Sequence, residues 1–165
     1  MIFRNALSED LSRIVEIYNS TIPSRMVTAD TEPVTVESKQ KWFDAHTPEK
    51  FPLWAIENEE NNVVGWISFQ PLKERCAYYA TAEIGIYIDE TYRGKGLGKK
   101  ALKYCIDQSP KFGITTLIGY IFAHNIPSIQ LFKYFGFEEW GNLPDVAVLD
   151  GQKRSVKILG KRIAE

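Results

Sequence analysis

Apolar positions along the chain recur with two periods, and each switch between them marks a new element. Residues 2–6 read as a short strand. Leu11, Ile14, Val15 and Tyr18 then fall at i, i+3, i+4 and i+7, the stripe of a helix that Ser8 is placed to cap. A polar loop over 24–33 follows Pro23, and Thr35 predicts the cap of a second helix over 36–46 with Trp42 and Phe43 on its buried side. Two β-rich runs, 53–57 and 63–69, are joined by the polar stretch Asn58-Glu59-Glu60-Asn61-Asn62, a hairpin signal. After a loop over 71–79, the run 81–88 puts Ile84, Ile86 and Ile88 on one face and Glu83, Gly85 and Tyr87 on the other. Leu97, Ala101, Leu102 and Cys105 form the stripe of a helix over 96–108. The near-continuous apolar run 116–121 predicts a strand buried on both faces. Asn125 caps a short helix with Pro127 in its first turn and Gly136 at its end. The stretch 137–161 reads as two antiparallel strands around Asp150-Gly151.

Strands and helices therefore alternate, and 81–121 has the length of a strand–helix–strand crossover. The expected class is α/β: one domain over 1–165, with a mixed, mostly antiparallel sheet and helices on both faces.

Composition narrows the chemistry. Against 21 Asp and Glu stand 20 Lys and Arg, a net charge of -1, which argues against a nucleic-acid partner. Hydrophobic residues make up 44%, enough to bury a core. Two cysteines, Cys76 and Cys105, and two histidines, His46 and His124, supply neither a thiolate zinc site nor a three-histidine site, so no metal is expected. No apolar run approaches the ~18 residues of a membrane span, and the acidic start MIFRNALSEDLSRI is unlike a secretory leader. The expectation is a cytoplasmic protein with reduced thiols and no membrane partner.

The most informative stretch is Arg93-Gly94-Lys95-Gly96-Leu97-Gly98-Lys99, between a predicted strand and a predicted helix. Alternating glycines let successive backbone N–H groups turn toward one concavity, and the helix adds the positive end of its dipole. Together with the nearby basic side chains, this suits a pyrophosphate. Spacing excludes the commonest readers of one: three residues separate Gly94 from Gly98 where a P-loop needs four, and Lys100 stands where its hydroxyl belongs. The dinucleotide fingerprint fails because its third glycine comes one residue early.

Here the chain resembles a known family. Arg93-x-x-Gly96-x-Gly98 is similar to the R/Q-x-x-G-x-G/A motif of the GNAT N-acetyltransferases, which binds the pyrophosphate of acetyl-CoA. Ala82-Glu83-Ile84-Gly85-Ile86-Tyr87-Ile88 resembles the family's preceding strand, and Asn125-Ile126-Pro127-Ser128 with Phe135-Gly136-Phe137 its later N-x-x-S…GF segment. Thr28-Ala29-Asp30-Thr31-Glu32-Pro33 and Trp42-Phe43-Asp44-Ala45-His46 look like the phosphinothricin acetyltransferase subgroup. The resemblance implies a GNAT fold whose sheet splays between strands 81–88 and 116–121, with Gly85 at a bulge that opens the ladder. It implies acetyl-CoA as co-substrate. The carrier would be held by the turn residues Arg93, Gly94, Lys95, Gly96, Leu97, Gly98 and Lys99, by the main chain of Ile86, Tyr87 and Ile88, and by Asn125 and Ser128. A homodimer is also implied.

The implied reaction is attack of a neutral amine on a thioester. An amine of pKa about 8 or above must first lose a proton. Glu83 is the candidate base, set against an ordinary strand-end salt bridge, and the Ile86 N–H is the candidate oxyanion donor. At the position where the family usually carries its acid stands Phe132, which has no proton to give; Tyr134, two residues on, faces elsewhere on the helix. In the loop Lys73-Glu74-Arg75-Cys76-Ala77-Tyr78, Arg75 offers a fork for an acceptor carboxylate and Tyr78 an aromatic wall. The expected acceptor is a small amino acid of the phosphinothricin or methionine sulfoximine type. A polyamine, an aminoglycoside, a protein N-terminus, or a CoA-binding module without catalysis stand as alternatives. Cys105, His46 and His124 are expected to be structural, and Cys76 is not expected to be a nucleophile.

Overall fold

Strand alternation sorts the apolar residues of this chain onto two sides of one sheet. In the computed structural model, which describes residues 1–163, the strands are β1 (Ile2–Asn5), β2 (Leu53–Glu57), β3 (Val63–Pro71), β4 (Thr81–Ile88), β5 (Thr116–Phe122), β6 (Glu138–Leu149) and β7 (Gln152–Arg162). They join in the order β1-β2-β3-β4-β5-β7-β6, with β4–β5 parallel and the other neighbours antiparallel. The helices are α1 (Leu11–Thr21), α2 (Val36–Asp44), α3 (Leu97–Gln108) and α4 (Ile126–Tyr134).

One core gathers Trp54, Ile56, Ile67, Phe69, Ile84 and Ile88 of the strands under Leu97, Ala101, Leu102 and Cys105 of α3 and Ile129 and Phe132 of α4. The residues between them in sequence, Leu53, Trp66 and Tyr87, face the other way, onto Ile14 and Ile17 of α1 and onto Trp42 and Phe43 of α2. The expected α/β class, crossover and C-terminal hairpin are all present, and no helix among the described residues is long and apolar enough to cross a membrane.

Two local expectations change. Ser8 does not cap α1. It opens a short 3-10 turn, and the Asp10 carboxylate accepts from the Leu7 N–H at 2.7 Å instead. The same carboxylate pairs with Arg4, which also reaches Glu57, so β1, the entry to α1 and β2 are tied by one guanidinium. Nor is β5 buried throughout: Tyr120 is 42% exposed, because the sheet opens beside it.

Gly119 of β5 is where α4 presses on the sheet. A Cβ there would stand 2.6 Å from Cε1 of Phe132, whose ring is buried. Gly119→Ala is therefore expected to lower stability by about 1–3 kcal/mol. Urea denaturation checks this, and adding Phe132→Leu in the same chain should recover part of the loss.

Candidate active site

The parallel ladder between β4 and β5 is short. It pairs Thr81 with Thr116, Ala82 with Leu117 and Glu83 with Ile118, then stops. Beyond that point β4 remains paired with β3 as far as Ile88, and β5 with β7 as far as Phe122. The two strands thus part at their C-terminal halves. Which β4 groups face the gap follows from alternation. The Asp89 N–H donates to the Val64 carbonyl at 2.9 Å, so the odd-numbered residues of β4 bond to β3 and the main-chain groups of Ile84, Ile86 and Ile88 point the other way, into the opening.

Gly85 does not make this opening by a bulge. Its register with Ser68 is regular, and the reason for glycine is close approach: a Cβ would lie 2.6 Å from the Ser68 Oγ. The ladder to β5 has already ended two residues earlier, at Glu83.

At the end of β4 the chain turns through a short 3-10 segment, held by the Asp89 side chain accepting from the Thr91 N–H, into the glycine turn. Gly94 and Gly96 have φ of +73° and +77°, conformations that side-chain-bearing residues adopt at a cost. α3 begins at Leu97 with no side chain capping it, and its first internal bond runs from the Lys100 N–H to the Gly96 carbonyl at 3.2 Å. The N–H groups of Leu97, Gly98 and Lys99 precede that bond, so they have no partner within the helix. Leu97 and Gly98 lie at a cleft of about 350 Å³ lined also by Arg93, Gly94 and Gly96, by β4 from Ile84 to Ile88, and by Asn125 and Ser128 of the α4 end. Asn125 caps α4 as expected, accepting from the Ser128 N–H at 3.3 Å, and its amide donates to the Met26 carbonyl.

On the opposite face, between α1, α2 and the sheet, lies a second cavity of about 320 Å³. Its walls include five aromatic side chains, Tyr18, Trp42, Trp66, Tyr87 and Tyr120. Tyr87 stacks on Trp66 with centroids 4.3 Å apart, and the Tyr18 hydroxyl is tied to Asp30 and Thr28. Burial, helped by the bond to Asp30, pushes the Tyr18 phenol up to about 12, so it stays protonated. Glu83 lines this cavity too. Burial pushes its carboxyl above the ordinary value, and no neighbouring charge or donor offsets the effect. The expected alternative, a salt bridge, does not form among the described residues. Ile84, Gly85, Tyr87 and Tyr120 line both hollows, so the two meet where the strands part.

A cleft that offers an open strand edge and a bare helix N-terminus, joined to a second cavity holding a half-buried carboxylate, has the form of a two-substrate site. Comparison with known proteins agrees. Residues 12–137 match the acetyltransferase (GNAT) family. The chain belongs to that family. It is 50% identical to YwnH of Bacillus subtilis strain 168, whose name assigns it provisionally to phosphinothricin acetylation, over 99% of this chain and 100% of that one. It is 30% identical to the L-methionine sulfoximine/L-methionine sulfone acetyltransferase of Pseudomonas paraeruginosa, over 91% of this chain and 85% of the other. A phosphinothricin acetyltransferase from Sinorhizobium meliloti, solved with acetyl-CoA, superposes with a TM-score of 0.91 at 25% identity, covering 98% of this chain and 87% of that one. This GNAT chain is an acetyl-CoA-dependent N-acetyltransferase, and the open edge of β4 with the unsatisfied amides of α3 fits an acyl carrier bearing amide and pyrophosphate groups.

Other residues singled out in the sequence fall differently on the GNAT frame. Lys95 and Lys99 are exposed and lie over the rings of Tyr92 and Tyr134, at 4.9 and 4.0 Å, outside the cleft lining. Arg93 lines the cleft and pairs with Glu90 at 3.3 Å. Arg75 and Tyr78 are exposed and line neither hollow, so the fold does not bring them to Glu83. Tyr134 is 67% exposed and also lies outside both. Phe132 lines the cofactor cleft as an apolar ring packed on Phe137. His46 and His124 hold the carbonyls of Trp42 and Arg25, and Cys105 is buried in the core with its thiol pushed up by burial. Sequence reasoning missed Tyr120 and the cavity role of Tyr18 and Lys39. A tyrosine breaking an apolar strand was the one available signal, and the others depend on how α1 and α2 lie on the sheet.

The raised carboxyl of Glu83 has a thermodynamic signature. A group that holds its proton more tightly when folded supports the fold below its unfolded value and loses that support as pH rises through its folded value. As pH rises from about 4 through the folded-state value of Glu83, the stability of the native chain should fall relative to Glu83→Gln, whose side chain does not ionise. Parallel urea titrations across that range read the difference, and two curves that stay a constant distance apart would contradict it.

Proposed function

We propose that this enzyme transfers acetyl from acetyl-CoA to the primary amine of a small amino-acid acceptor of the phosphinothricin or methionine sulfoximine type. The observation that carries the reading is the junction: the unpaired edge of β4 separates a cleft suited to the carrier from a cavity that holds the half-buried carboxylate of Glu83. The names of the relatives supply the acceptor type, and a cavity of about 320 Å³ is of a size for an amino acid. Because Arg75 and Tyr78 stand outside that cavity, the reading does not rest on them.

When bound, acetyl-CoA supplies an acetyl group activated as a thioester. The amides of Leu97 and Gly98, at the positive end of α3, would hold the pyrophosphate, and the outward main-chain groups of Ile86 and Ile88 would pair with the pantetheine amides. Glu83 takes a proton from the acceptor ammonium, directly or through one water. Its upward shift narrows the gap to the amine and makes it a better base than an ordinary surface carboxylate. The Ile86 N–H, pointing into the gap, donates to the oxygen on which charge develops as the amine attacks. Phe132 gives no proton to the departing sulfur. That apolar ring favours one second reading, a CoA-binding module without turnover. A homodimer belongs to the same proposal: β6 is an edge strand with Trp140, Val146 and Val148 exposed, and sedimentation velocity at micromolar concentration reads whether copies pair.

A thiol-release assay with acetyl-CoA over a panel of amino acids, polyamines and aminoglycosides separates these readings. Turnover is expected on methionine sulfoximine or phosphinothricin; acetyl-CoA binding with no thiol released on any amine would establish the module instead. Glu83→Gln should lower kcat/KM by about 10²–10⁴-fold, with the deficit greatest below the amine pKa, while the calorimetric affinity for acetyl-CoA holds. Gly96→Val, which forces a branched side chain to a positive φ, should act the other way, raising KM for acetyl-CoA far more than KM for the acceptor.

A further inference from the structure

The second cavity carries two charged side chains in its lining, Glu83 from β4 and Lys39 from α2. The two come from opposite walls, one from the sheet and one from the helix laid over it. Lys39 is half-buried, and among the described residues no carboxylate pairs with it. Its ammonium sits instead over aromatic rings, 5.0 Å from the centroid of Tyr18 and 5.9 Å from that of Trp42. Both rings line the same cavity. An ammonium held over two rings at the cavity wall is positioned without being neutralised.

We infer that Lys39 is the anchor for the acceptor's carboxylate and that it selects amino acids over simple amines. The inference rests on the proposed acetylation of an amino acid and adds the group that recognises its acid end. A zwitterion brings one positive and one negative end, and the cavity offers Glu83 to the first and Lys39 to the second. An amine without an acid group leaves Lys39 unpaired in a partly desolvated site, and a polycation meets it as a like charge; both outcomes select against those acceptors. The aromatic walls between the two charges, Tyr87, Trp66 and Trp42, suit an apolar or sulfur-bearing side chain. Arg75, the carboxylate anchor expected from the sequence, is exposed and outside this lining, whereas Lys39 is in it.

The test compares L-methionine sulfone with its primary carboxamide, which keeps the side chain and the amine but has no negative charge. Two readouts are used: kcat/KM by thiol release, and equilibrium binding from the fluorescence of Trp42 and Trp66. In the native enzyme both should favour the acid. Lys39→Met keeps an apolar stem on the rings and should shrink the acid-over-amide preference by about ten- to a hundredfold, chiefly through KM; Lys39→Arg should retain it and Lys39→Glu should invert it. An undiminished preference in Lys39→Met overturns the inference, as does its loss in Arg75→Met alone. A native chain that releases no thiol but still binds the acid over the amide through Lys39 would sustain the inference and reject the acetylation reading.

Discussion

The site depends on a ladder that stops. β4 and β5 share three residue pairs and then diverge, although each continues in register with its other neighbour. Continued pairing would satisfy the main-chain groups of Ile84, Ile86 and Ile88 from within, and there would be neither an open edge nor a gap. Those groups are instead left to water or to a ligand that can take the place of a strand. The divergence is held from outside the ladder. α3 packs Leu97, Ala101 and Leu102 against Ile84 and Ile88 of β4, and Phe132 of α4 lies against Gly119 of β5, so each strand is fixed by its own helix.

The same divergence explains the electrostatics. Glu83 is the last β4 residue paired with β5, placed where the sheet still excludes water on one side but opens into a cavity on the other. A carboxylate there loses hydration without gaining a partner, which raises its proton affinity. In the proposed reaction, free energy lost to the fold in keeping an unpaired acid becomes basicity available to a bound amine. An ion pair at this position would have restored the stability and removed the basicity. On the carrier side the logic is opposite: fixed dipoles of backbone amides, with no cation inside the lining except Arg93, meet a group that brings its own charge.

Much of this was legible locally. The two-face alternation of 81–88, the glycine turn, the Asn125 cap and the Asp150-Gly151 hairpin each carry their meaning within a few residues, and each stands where the sequence puts it. What was misread depends on partners distant in sequence. Gly85 looked like a bulge because a mid-strand glycine commonly is one; only the register shows Ser68 pressed against it. Ser8 has the side chain of a cap, but the helix starts later, at Leu11, behind a 3-10 turn, and the Asp10 carboxylate is taken up by Arg4 and the Leu7 N–H, so no side chain caps α1. Tyr120 was lost inside an apolar run because burial on both faces was inferred for a strand that borders a gap. Arg75 was attractive as a planar fork next to β4, yet proximity along the chain says nothing about which side of the sheet a loop serves.

The two hollows share β4 and Tyr120 where they meet but otherwise draw on different parts of the molecule. The cleft proposed for the carrier uses β4 main chain, the glycine turn and the ends of α3 and α4; the cavity proposed for the acceptor uses side chains of α1, α2, β3, β4 and β5. Residues α1 and α2 contribute to the cavity also pack the smaller core, so their substitution is limited by volume and not by a backbone conformation. Backbone recognition tolerates little change, since it needs positive φ at Gly94 and Gly96 and an unpaired strand edge. Side-chain recognition tolerates a great deal. A fold arranged in this way can keep one backbone cleft while the neighbouring cavity changes through a handful of side chains on two helices.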